Sequence, residues 1–151
     1  MARYVVHVQS PCEPGEAFDF MADLTNFADW DPGVIEASQV VGEQPEQDAA
    51  FDVMVKAIPR PLVLRYQLVT FDRPTTVVAR AQTPLLTSLD RITVTQADEG
   101  CIVTYDAELT LNGPLGLADP LVGLAFKRIG DRAADGLVRA LEGRKVEAPA
   151  A

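Results

Sequence analysis

The chain has 151 residues, 48% of them apolar and 23% charged, the make-up of one globular domain that buries roughly 70% of its unfolded surface without metal or disulfide staples. Lys and Arg number 13 against 22 Asp and Glu, a formal net charge of −9. That sign excludes nucleic acid and disfavours an anionic membrane surface as partners, leaving a neutral, apolar or cationic ligand, or a protein.

The stretch Tyr4–Gln9 after Arg3 is shorter than the apolar region of a secretory leader and has no small-residue cleavage site behind it, so a cytoplasmic location is expected. The longest apolar run, Leu115 to Phe126, is broken by Gly116, Asp119, Pro120 and Gly123, and integral membrane association is not expected. Cys12 and Cys101 form no C-x-x-C pair, and with His7 as the one histidine the chain has too few soft ligands for a zinc site. No metal and no cofactor is implied. Two free thiols are the expectation in a reducing compartment, although a bridge is conceivable if the first and last strands pair.

In chain order, Arg3–Gln9 alternates Tyr4, Val6 and Val8 against Val5, His7 and Gln9, a half-buried strand that stops at Ser10-Pro11. Pro14 and Glu16 open a helix running through Phe18, Met21 and Leu24. A second short helix follows, with Thr25 as its cap and Phe27 and Trp30 on one face as core aromatics, and Asp31-Pro32-Gly33 breaks it. Six further strands are predicted at Val34–Gly42, Ala49–Ile58, Leu62–Phe71, Thr76–Ala81, Leu86–Gln96 and Cys101–Leu111, separated by short Pro-, Gly- and Asp-rich turns that suit antiparallel neighbours. Asp119-Pro120 then starts a helix to about Leu141, striped by Val122, Phe126, Ile129, Ala133, Leu137 and Leu141. No internal repeat occurs. Residues 1–143 read as a single domain and 144–151 as a disordered tail.

A long apolar-striped helix must lie against a sheet. The order therefore gives an α+β domain of helix-grip type: a seven-stranded curved antiparallel sheet wrapped around the C-terminal helix, with two short helices between the first two strands. The stretches Glu16–Asp23 and Asn26–Gly33, the segment Tyr66–Pro74, the Asp90-Arg91 pair, Val103-Thr104-Tyr105 and the Pro120 helix together resemble the START-like (helix-grip, SRPBCC) superfamily, and within it the polyketide cyclase/dehydrase-type family, over nearly the whole chain. The resemblance implies a cavity between sheet and helix that carries lipids, sterols, quinones or aromatic polyketides, with cyclase or dehydratase chemistry in a minority of members.

Strand parity turns Phe51, Val53 and Val55 inward, with Leu62, Leu64, Tyr66 and Leu68 beside them, then Leu86, Ser88, Asp90, Ile92 and Val94, and finally Val103, Tyr105, Ala107 and Leu109. The predicted ligand-binding set is Phe51, Val53, Leu64, Tyr66, Ser88, Asp90, Ile92, Tyr105, Phe126 and Arg128. Asp90 is either a ligand-binding group or general base with a raised pKa, or one half of an ion pair with Arg128 or Arg132, the reading favoured here. Tyr66 and Tyr105 are candidates to donate to a ligand carbonyl. His7, on the opposite parity, belongs to the convex face. The loops Pro59–Pro61 and Ala81–Leu85 are expected to form a mobile mouth.

Three functions follow: binding of a hydrophobic small molecule; a cyclase or dehydratase with Asp90 as base and a tyrosine stabilising an enolate; or a protein-interaction member whose cavity is filled by Met and aromatic side chains.

Overall fold

The computed structural model describes residues 1–57, 59–114 and 119–149, apart from the side chains of residues 119 and 120. The opening strand β1 (Ala2–Ser10) leads into α1 (Pro14–Ala22), a 3-10 turn (Leu24–Asn26) and α2 (Phe27–Trp30). Six strands follow: β2 (Val34–Val41), β3 (Ala50–Val55), β4 (Leu62–Asp72), β5 (Thr76–Gln82), β6 (Leu86–Gln96) and β7 (Cys101–Leu111). The chain ends with α3 (Asp119–Ala140) and β8 (Arg144–Val146).

All strands form one antiparallel sheet in the order β2-β3-β4-β5-β6-β7-β1-β8. Consecutive strands are neighbours from β2 to β7 because their connections are short. The first strand then closes on the seventh, Ala2 opposite Leu109 through Ser10 opposite Cys101. The Ala49–Ile58 strand is shorter than expected, and its predicted end at Ile58 lies outside the described residues. The expected cap Asp119 and the expected first helical residue Pro120 likewise carry side chains outside that description.

Helix α1 stops at Ala22, two residues before its expected end. Asp23 takes an extended conformation, and its carboxylate accepts from the Thr25 amide at 3.0 Å and the Thr25 hydroxyl at 2.6 Å. The cap is therefore Asp23 and not Thr25, because a carboxylate preceding the turn reaches the free amide two residues on. Leu24 is left in the 3-10 turn, buried.

The sheet has eight strands where seven were expected. Residues 144–146 add β8 to the outer edge of β1, with Gln9 opposite Arg144 and His7 opposite Val146. Leaving α3, the Gly143 amide donates to the Val138 carbonyl at 2.9 Å, and the buried Ser10 hydroxyl donates to the Leu141 carbonyl at 2.7 Å. These bonds carry the chain along an edge of β1 that otherwise has unsatisfied backbone groups, which is what orders the start of the tail.

Helix α3, about 33 Å long at 1.5 Å per residue, packs against β1 and α2. Its seat depends on two glycines. A β-carbon at Gly136 would collide with the Trp30 carbonyl, and one at Gly130 would collide with the Tyr4 ring. The predicted stripe splits in two. Ala133, Leu137 and Leu141 are buried, whereas Val122 and Phe126 are only half-buried and Ile129 is 48% exposed. The N-terminal half of α3 spans open space above the sheet, so its apolar residues are covered only in part, Phe126 half-buried against the core and Ile129 exposed.

Beneath the C-terminal half lies the main core, built on Phe18, Met21, Phe51, Leu68, Ile92 and Val103. The parity assignments hold there: Val63, Arg65 and Gln67 alternate outward against buried Leu64, Tyr66 and Leu68. His7 lies on the convex side, half-buried, its Nδ1 2.8 Å from the Thr104 hydroxyl. Cys101 is buried, Cys12 half-buried, and both thiols are free.

Candidate functional site

The open space under the N-terminal half of α3 is a cavity of about 240 Å³. On the helix side it is bounded by Phe126, Ile129, Gly130 and Ala133; β4 contributes Leu62, Leu64 and Tyr66, and β6 and β7 contribute Leu86, Ser88, Asp90, Tyr105 and Ala107. The walls are mostly apolar with a few convergent polar groups, the usual make-up of a small-molecule site.

Six of the ten predicted ligand-binding residues meet there: Leu64, Tyr66, Ser88, Asp90, Tyr105 and Phe126. Phe51, Val53 and Ile92 point to the same concave side but are sealed in the core below the cavity floor, Phe51 and Val53 with no exposed surface. Arg128 does not line the cavity; it is exposed on the outer side of α3, as is Arg132. The helix turns by 100° per residue, so a helix that aims Phe126, Ile129 and Ala133 inward carries Arg128 and Arg132 away from the sheet.

The expected ion pair of Asp90 with an arginine is therefore absent. Asp90 is 5% exposed, and its Oδ2 accepts a long hydrogen bond, 3.3 Å, from the Tyr105 hydroxyl. Among the described residues nothing donates to its Oδ1. Burial, before any other cause, pushes the Asp90 carboxyl up to about 7, the Tyr105 hydroxyl works against this, and the charges of Asp31 and Asp106 add to it. The group sits at the boundary between acid and carboxylate at neutral pH, where a general base is most effective. Burial and the Asp90 charge hold the Tyr105 hydroxyl protonated, well above its ordinary range. Tyr66 is held up by the same two causes, and its hydroxyl is 2.7 Å from the Ser88 hydroxyl.

Asp31 and Tyr4 are among the wall residues that escape a reading of the sequence alone. Asp31, 8% exposed, is marked there as a helix-breaking turn residue, and it is one: Oδ1 accepts from the Gly33 amide at 2.8 Å. The same tight turn fixes its carboxyl on the cavity wall, where burial raises its pKa, opposed by the Gly33 hydrogen bond and the Lys56 charge. Tyr4 lines the wall from β1 while its hydroxyl donates to Asp131 on α3 at 2.7 Å. Parity places Tyr4 inward, but its proximity to the cavity depends on where α3 lies.

The aromatic pair of α2 supports the site from outside. Phe27 stacks on Trp30 at 4.6 Å and reaches the cavity wall, and Trp30 meets Tyr105 edge-on at 5.1 Å. The core reading of Trp30 holds, while Phe27 is both core and wall. The Ala81–Leu85 mouth is more ordered than a loop: Ala81 is buried within β5, and the Thr83 amide and hydroxyl both donate to the Leu86 carbonyl. Among the described residues no cluster of His, Cys, Asp and Glu has the geometry to hold a metal, and no helix is long and apolar enough to cross a membrane.

Comparison with known proteins places this geometry. A START superfamily protein from Mycobacterium smegmatis superposes with a TM-score of 0.75 at 10% identity, covering 94% of this chain and 98% of the other. A protein from Thermus thermophilus gives 0.73 at 14% identity, with 93% and 96% covered. The di-domain ARO/CYC StfQ from the steffimycin biosynthetic pathway gives 0.59 at 14% identity, covering 93% of this chain and 45% of StfQ. At these identities the likeness is one of fold. No curated protein matches the chain. The family described as polyketide cyclase / dehydrase and lipid transport matches residues 1–142. With a curved antiparallel sheet gripping a long C-terminal helix and a family match of that extent, the chain belongs to the polyketide cyclase/dehydrase and lipid transport family of START-like proteins.

Proposed function

We propose that the protein binds a hydrophobic small molecule, ring-containing or lipid-like, in the cavity between the sheet and α3, and that it works in the cytoplasm without a cofactor or a nucleic-acid partner. The observation that carries this reading is the open, apolar-walled cavity of about 240 Å³. An engineered apolar cavity of about 150 Å³ already admits benzene, so this one has room for a fused bicyclic body or one ring with a short chain. Burying roughly 250 Å² of such a ligand yields about 6 kcal/mol before the costs of association. Tyr66, Ser88, Asp90 and Tyr105 would orient it. The open volume also counts against an interaction protein with a collapsed interior.

Native mass spectrometry of the protein purified from its own host, followed by extraction and identification of what is bound, tests this directly. A co-purifying apolar molecule is expected. An empty protein that also binds nothing from a lipid and polyketide panel would refute the reading.

A second reading, a polyketide cyclase or dehydratase, gains from one observation: the buried Asp90 carboxyl has no arginine partner. In that chemistry Asp90 removes a proton from the carbon beside a ketone, and the Tyr66 or Tyr105 hydroxyl stabilises the enolate oxygen. The enolate carbon attacks a second carbonyl and the proton on Asp90 passes to the resulting alkoxide; Asp90 then removes the remaining proton from the same carbon and delivers it to the new hydroxyl, which leaves as water as the carbon–carbon double bond forms. Asp90→Asn is expected to abolish turnover of a polyketide substrate while leaving binding intact; unchanged turnover would remove Asp90 from the chemistry.

A further inference from the structure

The polar side of the cavity is lopsided. Asp90 and Asp31 both present carboxyl groups to it, each more than nine-tenths buried, and each uses one oxygen within the protein: Asp90 Oδ2 takes the Tyr105 hydroxyl, and Asp31 Oδ1 takes the Gly33 amide. The second oxygen of each has no donor among the described residues. The Tyr66 and Ser88 hydroxyls are engaged with one another. Lys56, exposed at the rim, is the one cationic side chain among the cavity-lining residues described.

Among the described residues no buried side-chain oxygen is without a partner, so these two oxygens open onto the cavity itself, where only water or a ligand can donate to them. A wall in this state is incomplete, and a ligand that supplies donors completes it. Two carboxyl groups facing one small space repel a ligand acid and favour a ligand cation. The net charge of −9 gives a long-range preference of the same sign. The Lys56 charge acts on Asp31, but no cation is among the influences on Asp90; a neutral hydroxyl would satisfy one oxygen and bring no charge, whereas an ammonium donates up to three hydrogen bonds and supplies it.

We propose that the ligand is an apolar amine: a ring-containing body lodged under Phe126 and Ile129, with a protonated amino group donating to Asp90 Oδ1 and the free oxygen of Asp31. This rests on the cavity-binding reading above and narrows its ligand to one charge class. The Asp90–Tyr105 contact persists in the complex, with the tyrosine hydroxyl fixing the carboxylate plane while the amine approaches the other oxygen.

Calorimetric titration of the full chain at neutral pH with three probes that share one bicyclic body, naphthylethylamine, naphthylethanol and naphthylacetate, separates the charge classes. The amine is expected to bind about tenfold or more tightly than the alcohol, the difference one charge-assisted hydrogen bond supplies, and naphthylacetate more weakly still. Asp90→Asn should bring the amine to within about threefold of the alcohol; Asp31→Asn gives a smaller loss in the same direction and serves if the first variant fails to fold. Equal or tighter binding of the alcohol by the parent protein overturns the amine assignment and leaves the cavity reading standing. Failure of all three probes to bind overturns the assignment and, with an empty protein from the host, the cavity reading too.

Discussion

Replacing Asp90 by Asn should change how stability depends on pH. In the folded protein the carboxyl titrates at about 7, against an ordinary 3.8. Between those values the native state keeps a proton that the unfolded chain has released, so stability is full below about pH 4 and falls as pH rises through 7. One pKa unit corresponds to about 1.4 kcal/mol, so the whole displacement costs about 4 kcal/mol, of which about 3 kcal/mol is lost between pH 5 and 8. Asparagine cannot ionise, and its carbonyl can still accept from the Tyr105 hydroxyl, so the contact survives while the dependence disappears. Asp31 is shifted the same way in both proteins and largely cancels from the comparison. Urea denaturation followed by fluorescence of Trp30, the one tryptophan in the chain, at pH 5 and pH 8 gives the four free energies needed. The variant should gain on the parent by about 3 kcal/mol over that interval. A gap that is the same at both pH values would refute the argument, because it would mean that Asp90 does not titrate between them.

Tyr105→Phe removes the hydroxyl that holds the Asp90 carboxyl down; the midpoint of the pH-dependent stability loss should move upward and stability at pH 8 fall by about 1–2 kcal/mol, both read from the same denaturation series. Gly136→Ala would force a methyl group into the Trp30 carbonyl where α2 crosses α3, and the overlap should outweigh the gain of about 1 kcal/mol in helix propensity; thermal unfolding should show a lower Tm, and an unchanged or higher one would contradict the close approach. Ala133→Leu puts bulk into the cavity from α3; the fold should persist by circular dichroism while affinity for naphthylethanol falls at least tenfold. Arg73→Ala breaks a two-pronged ion pair with Asp19 whose partners are 53% and 56% exposed, and should alter stability by less than about 0.5 kcal/mol at physiological salt.

The strand that carries Asp90 was legible to the residue: β6 and β7 begin and end where the alternation of Leu86–Gln96 and Cys101–Leu111 meets the Ala97–Gly100 turn. Parity alone also placed Tyr66, Ser88, Asp90 and Tyr105 on one concave wall. It could not give the register, which sets Ile92 opposite Tyr105 and Ala107 opposite Asp90, so that the tyrosine hydroxyl reaches the carboxyl on the diagonal. Asp31 escaped because a turn has no period from which to read a direction. Arg128 was misplaced because an unpaired buried acid suggests a cation, and only the rotation of α3 reveals that none is aimed at it. The strand at Arg144–Val146 has no pattern of its own; it exists because β1 offers an edge, a property of the finished sheet rather than of those three residues.

That edge has a consequence for synthesis. β1 is made first, yet both of its partners come late: Arg3 meets Asp106 across 103 positions, and Gln9 reaches Arg144 across 135. While the ribosome is working, β2 to β6 can zip together by neighbouring hairpins, but the first strand has nowhere to go. Closing so long a loop is slow and entropically expensive, and no local contact offsets it in advance. Until β7 emerges, Val6 and Val8 stay uncovered on a tethered, unpaired segment, so the first strand of this sheet is placed only after β2 to β6 have paired.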